Sequence, residues 1–242
     1  MKKLFTLAVA AFVCTAAGAQ VVTASNYTKA KNKAQWYVKV GMNISGLGGD
    51  AFEDFGSIVG YNVGIGFDSP IGTSGLFWSS GLSLATKGCK YKYSYSESYW
   101  SESEEVKFNL NKLEIPLTIG YKYKIDNDWT VDARFGAFVN YDLWGKMTDE
   151  WTETDYGETY TEKYEVNVGD FDGWNRVGAG LLIGIGGWWQ NLNLSLTYEF
   201  GLINQLDDKY YYDDEYSYYD EYYGSGGGGK EHNFMISVAY AF

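Results

Sequence analysis

The chain has 242 residues, of which 19% are aromatic, and it carries a formal net charge of −12. A chain this acidic lacks the basic footprint that nucleic-acid binding requires, because its exposed segments would repel phosphate. After the amino-terminal segment no run of 18 apolar residues occurs, which excludes a transmembrane helix.

The first 19 residues have the features of a secretory signal peptide. Two lysines form a positive start, residues 4–16 form a short apolar core, and Ala17-Gly18-Ala19 is a small-residue cleavage site. We therefore expect residues 1–19 to be removed. Residues 20–35 are polar and basic, and they are predicted to form a short periplasmic lead-in to the first strand.

Cys14 allows a second interpretation, a lipoprotein that is cleaved just before a cysteine. The preceding Phe12 and Val13 are bulky where small residues would be expected, which favours the secretory signal. If Cys14 leaves with the signal, Cys89 is the only cysteine and no intrachain disulfide can form. The mature chain would then depend on its sheet for stability.

Alternation of apolar residues with small or polar ones predicts a series of strands. In the first strand Trp36, Val38 and Val40 alternate with Tyr37 and Lys39. The predicted strands are 36–44, 58–68, 76–95, 107–125, 129–139, 174–189, 192–200 and 234–242. An even count suits a closed antiparallel sheet whose last strand pairs with its first.

Short and long connections alternate between these strands. Those after the second, fourth and sixth strands are short, and those after the first, third, fifth and seventh are long and acidic. The long segments are 45–57, 96–106, 148–173 and 207–231, and without Glu231 they hold 23 of the 31 acidic residues. Short periplasmic turns and long extracellular loops are the usual organisation of single-chain outer-membrane barrels.

Aromatic residues collect at the strand ends nearest the short connections. Rings prefer the headgroup level of a membrane, so a belt of this kind indicates a membrane interface. The predicted belt consists of Trp36, Phe67, Trp78, Tyr123, Trp129, Trp188, Trp189, Tyr240 and Phe242.

The alternative for this pattern is core packing in a soluble β-sandwich. A sandwich would leave its polar alternates in solvent, yet these positions are rich in glycine, which suits the crowded interior of a narrow barrel. The predicted fold is therefore all-β. It is one domain at 36–242, an eight-stranded antiparallel transmembrane β-barrel in the outer membrane with its outside against lipid.

Several segments also carry a resemblance to a known family. They are 81–88, Leu113-Glu114-Ile115-Pro116-Leu117, 198–202 and the aromatic end, and the second is the most specific. Together they resemble the PorT-like outer-membrane β-barrel family of Bacteroidota over essentially the whole mature barrel. The resemblance implies a small eight-stranded barrel, without an assigned activity for most members. One branch takes part in a secretion and gliding apparatus, so a subunit of an envelope secretion machine is an alternative role.

The lumen of so narrow a barrel is expected to be filled by side chains. Charged residues at inward positions are then predicted to pair in a buried network, because unpaired charge there is unfavourable. The predicted network residues are Lys39, Glu114, Asp132, Arg134, Arg176 and Glu199, with Lys122 beside them. A narrow polar channel lined by the same groups is the alternative.

The last acidic segment is a candidate for ligand recognition, because tyrosine offers large, rigid contact area and a hydroxyl. The tyrosines are Tyr210, Tyr211, Tyr212, Tyr216, Tyr218, Tyr219, Tyr222 and Tyr223. The expected ligand is an extracellular glycan, a peptide or an envelope protein. The alternative is that these loops are solvated, charged extensions that shield the cell surface.

No catalytic, metal or cofactor motif stands out. The acidic runs lack the spacing of a calcium loop, so weak surface association of divalent ions is expected rather than a specific site. His232 is the only histidine, and no GxSxG or dinucleotide fingerprint is present. We predict a non-enzymatic protein without cofactors, with a lipid-acting barrel enzyme as the alternative.

Overall fold

The computed structural model describes residues 33–49, 52–171, 173–206 and 228–242. The predicted signal peptide and the tyrosine-rich recognition segment 210–223 lie outside the described residues. Nine strands are present within them: β1 Gln35–Gly48, β2 Gly56–Pro70, β3 Leu76–Glu97, β4 Trp100–Lys124, β5 Trp129–Asp155, β6 Glu158–Asn167, β7 Val177–Trp189, β8 Leu192–Asn204 and β9 Lys230–Ala241. Among the described residues no helix is long and apolar enough to cross a bilayer.

Eight of the nine strands close into a ring. The order is β4-β3-β2-β1-β9-β8-β7-β5, every neighbouring pair is antiparallel, and β4 pairs with β5 to complete the circle. The last strand pairs with the first from Tyr37 opposite Ala241 to Gly48 opposite Lys230. The eight-stranded barrel is thus confirmed.

The ninth strand, β6, is an addition that the sequence did not predict. Among the described residues it pairs only with the outer half of β5, from Lys146 opposite Asn167 to Asp155 opposite Glu158. The inner half of β5 pairs with β7. β6 therefore belongs to a hairpin that projects from the ring rather than to the barrel wall.

The two faces of the wall differ sharply in polarity. Val40, Leu117 and Ile183 on the outside are 61%, 60% and 59% exposed, whereas Asn43 and Glu199 on the inside are 0% exposed. Period-2 alternation produces this division, since successive side chains of a strand point to opposite faces. An apolar outside around a polar inside is stable in hydrocarbon and unfavourable in water.

Glycines on the inner face make room for large side chains. A Cβ on Gly66 would lie 2.6 Å from the hydroxyl of Tyr37, and a Cβ on Gly120 would collide with the ring of Phe77. The prediction that these glycines suit a crowded interior is confirmed at both positions.

Most of the predicted aromatic belt lies on the outside at the end of the short turns, which we call the turn end. Trp78, Trp129 and Trp189 are 37%, 49% and 49% exposed, and Phe67 packs against Trp36 and Trp78. Trp188 was assigned wrongly. It points into the barrel and is buried, because its neighbour Trp189 takes the outward position.

The opposite end, which we call the loop end, differs from prediction in the length of its strands. β4 starts at Trp100 rather than at 107, and β5 runs to Asp155 rather than to 139. The acidic segments 96–106 and 148–173 are therefore mostly strand and tight turn. The sequence did not predict these strand extensions, because Ser and Thr alternate there with acidic and aromatic residues. A strand without an apolar face gives no amphipathic signal.

A β-bulge in β5 changes which residues face inward. Asp142 pairs with Lys112 and Trp144 pairs with Asn111, so Leu143 is an extra residue in the ladder. Below the bulge even-numbered residues face inward, and above it Gly145 and Met147 do so. A single alternating pattern cannot describe both halves of this strand.

Candidate functional site

The barrel interior holds two layers of charged side chains, and the larger lies towards the loop end. Its centre is the fully buried Lys87 of β3, whose Nζ donates to carboxylates of Glu114, Glu199 and Glu231 at 2.6, 2.6 and 2.7 Å. These acids lie on β4, β8 and β9. One ammonium group therefore connects strands on opposite sides of the ring.

A second lysine extends this layer. Lys112 Nζ lies 2.7 Å from Glu231 Oε2 and 3.1 Å from Asp142 Oδ1, and it donates to Gln205. Trp174 Nε1 donates to the other oxygen of Asp142 at 2.8 Å. We call Lys87, Lys112, Glu114, Asp142, Glu199 and Glu231 the upper layer. With more carboxylates than ammonium groups, it keeps a negative charge.

The lower layer lies towards the turn end and is balanced in charge. Lys122 Nζ lies 2.6 Å from Asp68 Oδ2, and Arg134 Nη2 lies 2.7 Å from Asp132 Oδ1. Trp188 Nε1 donates to the second oxygen of Asp132 at 2.7 Å. This bond satisfies the indole N–H of the buried Trp188, which requires an acceptor inside a protein.

A cavity of about 60 Å³ separates the two layers, and Lys39, Glu114, Arg134 and Glu199 are among its lining residues. It has room for about four water molecules. Lys39 has no carboxylate within ion-pair distance among the described residues. Oxygen Oε1 of Glu199 likewise has no hydrogen-bond partner there. Water in the cavity can solvate both groups.

An apolar cluster covers the upper layer at the loop end. Phe108 and Trp174 stack at its centre with ring centroids 5.3 Å apart. The buried members are Leu47, Phe52, Cys89, Val106, Phe108, Leu110, Met147, Val168, Trp174 and Leu206. They come from strands and connections around the ring, so side chains fill the mouth of the barrel.

The structure brings together four of the residues predicted for the interior network. Glu114 and Glu199 lie in the upper layer, and Asp132 and Arg134 lie in the lower layer. Lys39 points inward as predicted, but it faces the cavity and forms no ion pair within the described part of the chain.

Arg176 does not join the network. It precedes β7, which starts at Val177 rather than at the predicted 174. Its guanidinium donates to the backbone carbonyls of Asp142 and Leu143 and lies 5.0 Å from the ring centroid of Tyr141. Arg176 thus stabilises the bulged part of β5 instead of a carboxylate.

Sequence reasoning missed Lys87, Lys112, Asp142 and Glu231. Lys112 could have been found, since it has the same parity as Glu114 on one strand. Glu231 precedes the predicted start of the last strand at 234, whereas β9 starts at Lys230 and includes it. Lys87 lies within the predicted third strand 76–95, but that prediction does not specify which face of the strand it occupies.

The carboxylates around Lys87 resemble a metal site only in number. Glu114, Glu199 and Glu231 each offer an oxygen within 4.8 Å of the others. Lys87 Nζ already lies at hydrogen-bond distance from all three. A metal ion would have to displace this ammonium group, so the cluster is an internal ion-pair centre.

A second candidate site lies outside the ring. Beyond Lys90 the third strand has no β2 partner, and β3, β4, β5 and β6 continue as a four-stranded sheet. We call residues 91–106 and 149–164 the projecting sheet. Seven residues per strand and four strands make it about 20 Å long and about 15 Å wide. At its tip Tyr99 and Tyr156 stack with ring centroids 5.6 Å apart.

The register sorts the side chains of the projecting sheet onto two faces. The face that continues the inner side of the barrel wall carries eight acids, seven aromatic residues, one valine and no lysine or arginine. We call it the acidic face: Tyr91, Tyr93, Tyr95, Glu97, Trp100, Glu102, Glu104, Val106, Asp149, Trp151, Glu153, Asp155, Glu158, Tyr160, Glu162 and Tyr164.

The opposite face is neutral and rich in hydroxyl groups. In the same sheet it carries eight Ser or Thr, two Lys and two Glu, and we call it the hydroxyl face. Lys163 of this face lies 2.9 Å from Glu165, just below the projecting sheet, and Lys146 on β5 lies 2.7 Å from the same carboxylate. Hydrogen bonds from the two lysines lower the pKa of Glu165 to about 2.

His232 lies apart from both charge layers. It sits on β9 opposite Gly46, and a Cβ on Gly46 would collide with its imidazole ring. The residue is half-buried at the loop end of the wall.

These features define an outer-membrane β-barrel: a closed antiparallel ring, an apolar outside, a polar inside, and long strands and loops at one end only. Residues 19–207 match the family described as outer membrane protein beta-barrel domain. The chain belongs to that family, and its turn end faces the periplasm and its loop end the cell exterior.

Solved structures of small outer-membrane barrels are similar over most of the chain. Ail, the attachment invasion locus protein of Yersinia pestis, is 13% identical with a TM-score of 0.34, covering 87% of this chain and 99% of that one. Neisserial surface protein A is 12% identical with a TM-score of 0.34, covering 87% and 99%. The N-terminal β-barrel domain of Pseudomonas aeruginosa OprF is 9% identical with a TM-score of 0.31, covering 87% and 100%. Comparison with curated proteins gives no match.

Proposed function

We propose that this protein is a non-conducting, non-enzymatic barrel that displays its projecting sheet for recognition at the cell surface. The single observation that carries the proposal is the division of that sheet into an acidic, aromatic face and a neutral hydroxyl face. In a sheet that served only as a solvated spacer, nothing would favour placing the aromatic rings and the acids on the same face.

The filled lumen supports the non-conducting part of the proposal. A diffusing ion would meet the lower layer, the upper layer and then the apolar cluster over it. Opening a path through the two layers requires breaking buried ion pairs, and the apolar cluster closes the lumen beyond them.

The exposed aromatic residues support the recognition part. Tyr99 and Tyr156 are 70% and 81% exposed at the tip, and Tyr160 and Tyr164 are 59% and 66% exposed on β6. Tyrosine provides contact area and hydrogen bonding with little side-chain entropy to lose. The proposal extends to residues 210–223, whose tyrosines would add to the recognition surface, and to membership of the PorT-like barrels of Bacteroidota, which the sequence resembles.

Removing the projecting sheet without disturbing the barrel tests the proposal. Tyr91 lies opposite Val106, and Thr148 lies opposite Glu165. Residues 92–105 and 149–164 can therefore each be replaced by Asn-Gly, which forms a two-residue hairpin turn. Cells that display this shortened variant should lose attachment to protein-coated surfaces, compared with cells that display the same number of wild-type molecules.

A variant that lacks only residues 210–223 forms the second arm of the experiment. Folding of both variants is checked by the heat-dependent mobility shift of the barrel on gels, and display is checked by flow cytometry. Equal attachment of wild-type, shortened and 210–223-deleted cells would contradict the recognition function.

A further inference from the structure

The geometry points to a defined partner chemistry for the projecting sheet: an extended polypeptide segment rich in Arg or Lys. Such a segment would pair with the free edge of β6 and place alternate cationic side chains on the acidic face. This inference rests on the proposed recognition function and specifies its ligand.

The first argument is the uncompensated charge of the acidic face. The register sets Glu102 opposite Glu153 and Asp155 opposite Glu158. Like charges directly opposite each other destabilise a sheet, and no strand of this sheet contributes a basic residue to that face. Asp149 adds an oxygen that is shielded from solvent and has no hydrogen-bond partner among the described residues. Cations supplied by a partner would relieve this repulsion.

The second argument is the position of the rings between the acids. Trp151 lies between Glu104 and Glu162 in one cross-strand row. In the next row Tyr160 lies opposite Glu153. Arginine stacks on aromatic faces while its guanidinium binds carboxylates, and lysine also interacts favourably with such rings. Small divalent ions would bind the carboxylates without contacting the rings. The combination of carboxylates and aromatic rings therefore favours the cationic side chains of Arg and Lys.

The third argument is the edge of β6. This strand is the last in the sheet order, and in the described part of the chain it pairs with β5 alone. A free strand edge can accept an extended peptide by β-augmentation. The cross-strand rows are about 7 Å apart, which equals the spacing of alternate side chains in an extended peptide.

Charge also identifies the partner as a different molecule. A second copy that paired through its own β6 would bring another acidic face against this one. The acids of the two copies would repel each other, because the acidic face of each copy carries no lysine or arginine.

Peptide binding to the full-length barrel in phosphatidylcholine nanodiscs tests the inference. The probe is a fluorescent twelve-residue peptide of alternating Arg and Thr, with two comparison peptides. Replacing Arg by Gln removes the charge, and replacing Thr by Pro keeps the charge but removes backbone donors. We expect binding of the Arg-Thr peptide, weaker at higher ionic strength, and at least about tenfold weaker binding of either comparison peptide.

Two triple variants with equal changes in net charge provide the matched control. Glu102→Gln with Glu153→Gln and Glu162→Gln neutralises the acidic face and keeps its hydrogen-bond acceptors. Glu105→Gln with Glu150→Gln and Glu165→Gln makes the same change on the opposite side of the same strands. The first triple variant should bind the Arg-Thr peptide about tenfold more weakly, by loss of exposed charge pairs, and the second within about twofold of the wild type.

Three results would overturn the inference: no binding of the Arg-Thr peptide, equal losses in the two triple variants, or equal binding of the proline peptide. Binding suppressed by millimolar calcium in the wild type but not by equal ionic strength of sodium would assign the face to divalent ions and reject the peptide. If peptide binding fails while the shortened variant still loses attachment, the partner chemistry is wrong and the recognition function stands.

Discussion

Lys87 illustrates how much the interior of this barrel depends on a single side chain. Its ammonium group contacts three carboxylates on three other strands. Removing the lysine would leave three buried carboxylates that repel one another. Buried charge without a partner strongly destabilises the folded state. The lysine therefore determines whether the acids stabilise or destabilise the ring.

Lys87→Met should lower the free energy of unfolding by about 3–5 kcal/mol, because it leaves buried charge without a partner. Lys92→Met is the control, since Lys92 is exposed and lies 3.8 Å from Glu105, so its loss should cost about 1 kcal/mol or less. Urea unfolding in detergent micelles measures both. Adding Glu199→Gln to Lys87→Met should recover part of the loss, and equal midpoints for Lys87→Met and Lys92→Met would contradict this account.

Glu165 allows a pH-dependent test on the surface of the β5–β6 hairpin. Its pKa of about 2 lies below the usual value, because Lys146 and Lys163 donate hydrogen bonds to the carboxylate. A depressed folded-state pKa means that the interaction stabilises the hairpin above the ordinary glutamate pKa and is lost as pH falls towards 2.

Carboxyl NMR titration should therefore show Glu165 ionised at pH values where an ordinary glutamate is half protonated. Lys146→Met with Lys163→Met should return its pKa towards the usual range. Lys107→Met serves as the control, because Lys107 lies opposite Thr148 on the neighbouring strand and makes no ion pair with Glu165. A normal Glu165 pKa in the wild type would show that the lysines do not hold the carboxylate.

At the level of the strand, the bulge at Leu143 separates two regular ladders. Deleting Leu143 joins them without changing any partner, since Asp142 and Trp144 already face the consecutive residues Lys112 and Asn111. Deleting Lys146 instead can restore a regular ladder only by turning Trp144 inward. We expect the Leu143 deletion to retain the fold, with a loss of about 1 kcal/mol for the carbonyl that accepts from Arg176.

The Lys146 deletion should be far less stable, because Trp144 would enter the space that Gly145 leaves beside Leu110. Urea unfolding of the two deletion variants measures the difference. If both variants unfold at the same concentration, the bulge does not set the inward face of β5.

Alternation predicted the strands of the ring because their outer faces are continuously apolar, as in Leu192–Phe200. It failed where strands have no apolar face, as in Glu158–Asn167, and where the bulge changed the parity of β5. The interior partners could not be predicted, since Lys87 and Glu231 are 144 residues apart and meet only when the ring closes. The existence of inward charge was predictable, whereas its pairing depends on register between strands.

At the scale of the whole molecule, the membrane-spanning part and the exposed part have different tasks. The barrel wall neutralises most of its charge internally and is covered by an apolar cluster. The acidic face of the projecting sheet carries eight acids and no lysine or arginine. Carboxylates and cations are thus paired within the ring, and net negative charge is concentrated outside it, where a partner can reach it.

This division predicts that interior mutations act on stability and not on ion flow. Arg134→Ala leaves Asp132 and Asp68 in the lower layer with one cation fewer, so unfolding should occur at clearly lower temperature or urea concentration. Conductance of planar bilayers that contain the variant should stay at the level of the wild type, because the upper layer and the apolar cluster still close the lumen. Glu105→Gln, on the exposed hydroxyl side, is the control for both measurements. Unchanged unfolding of Arg134→Ala together with increased ion flux would show that the lower layer gates a channel.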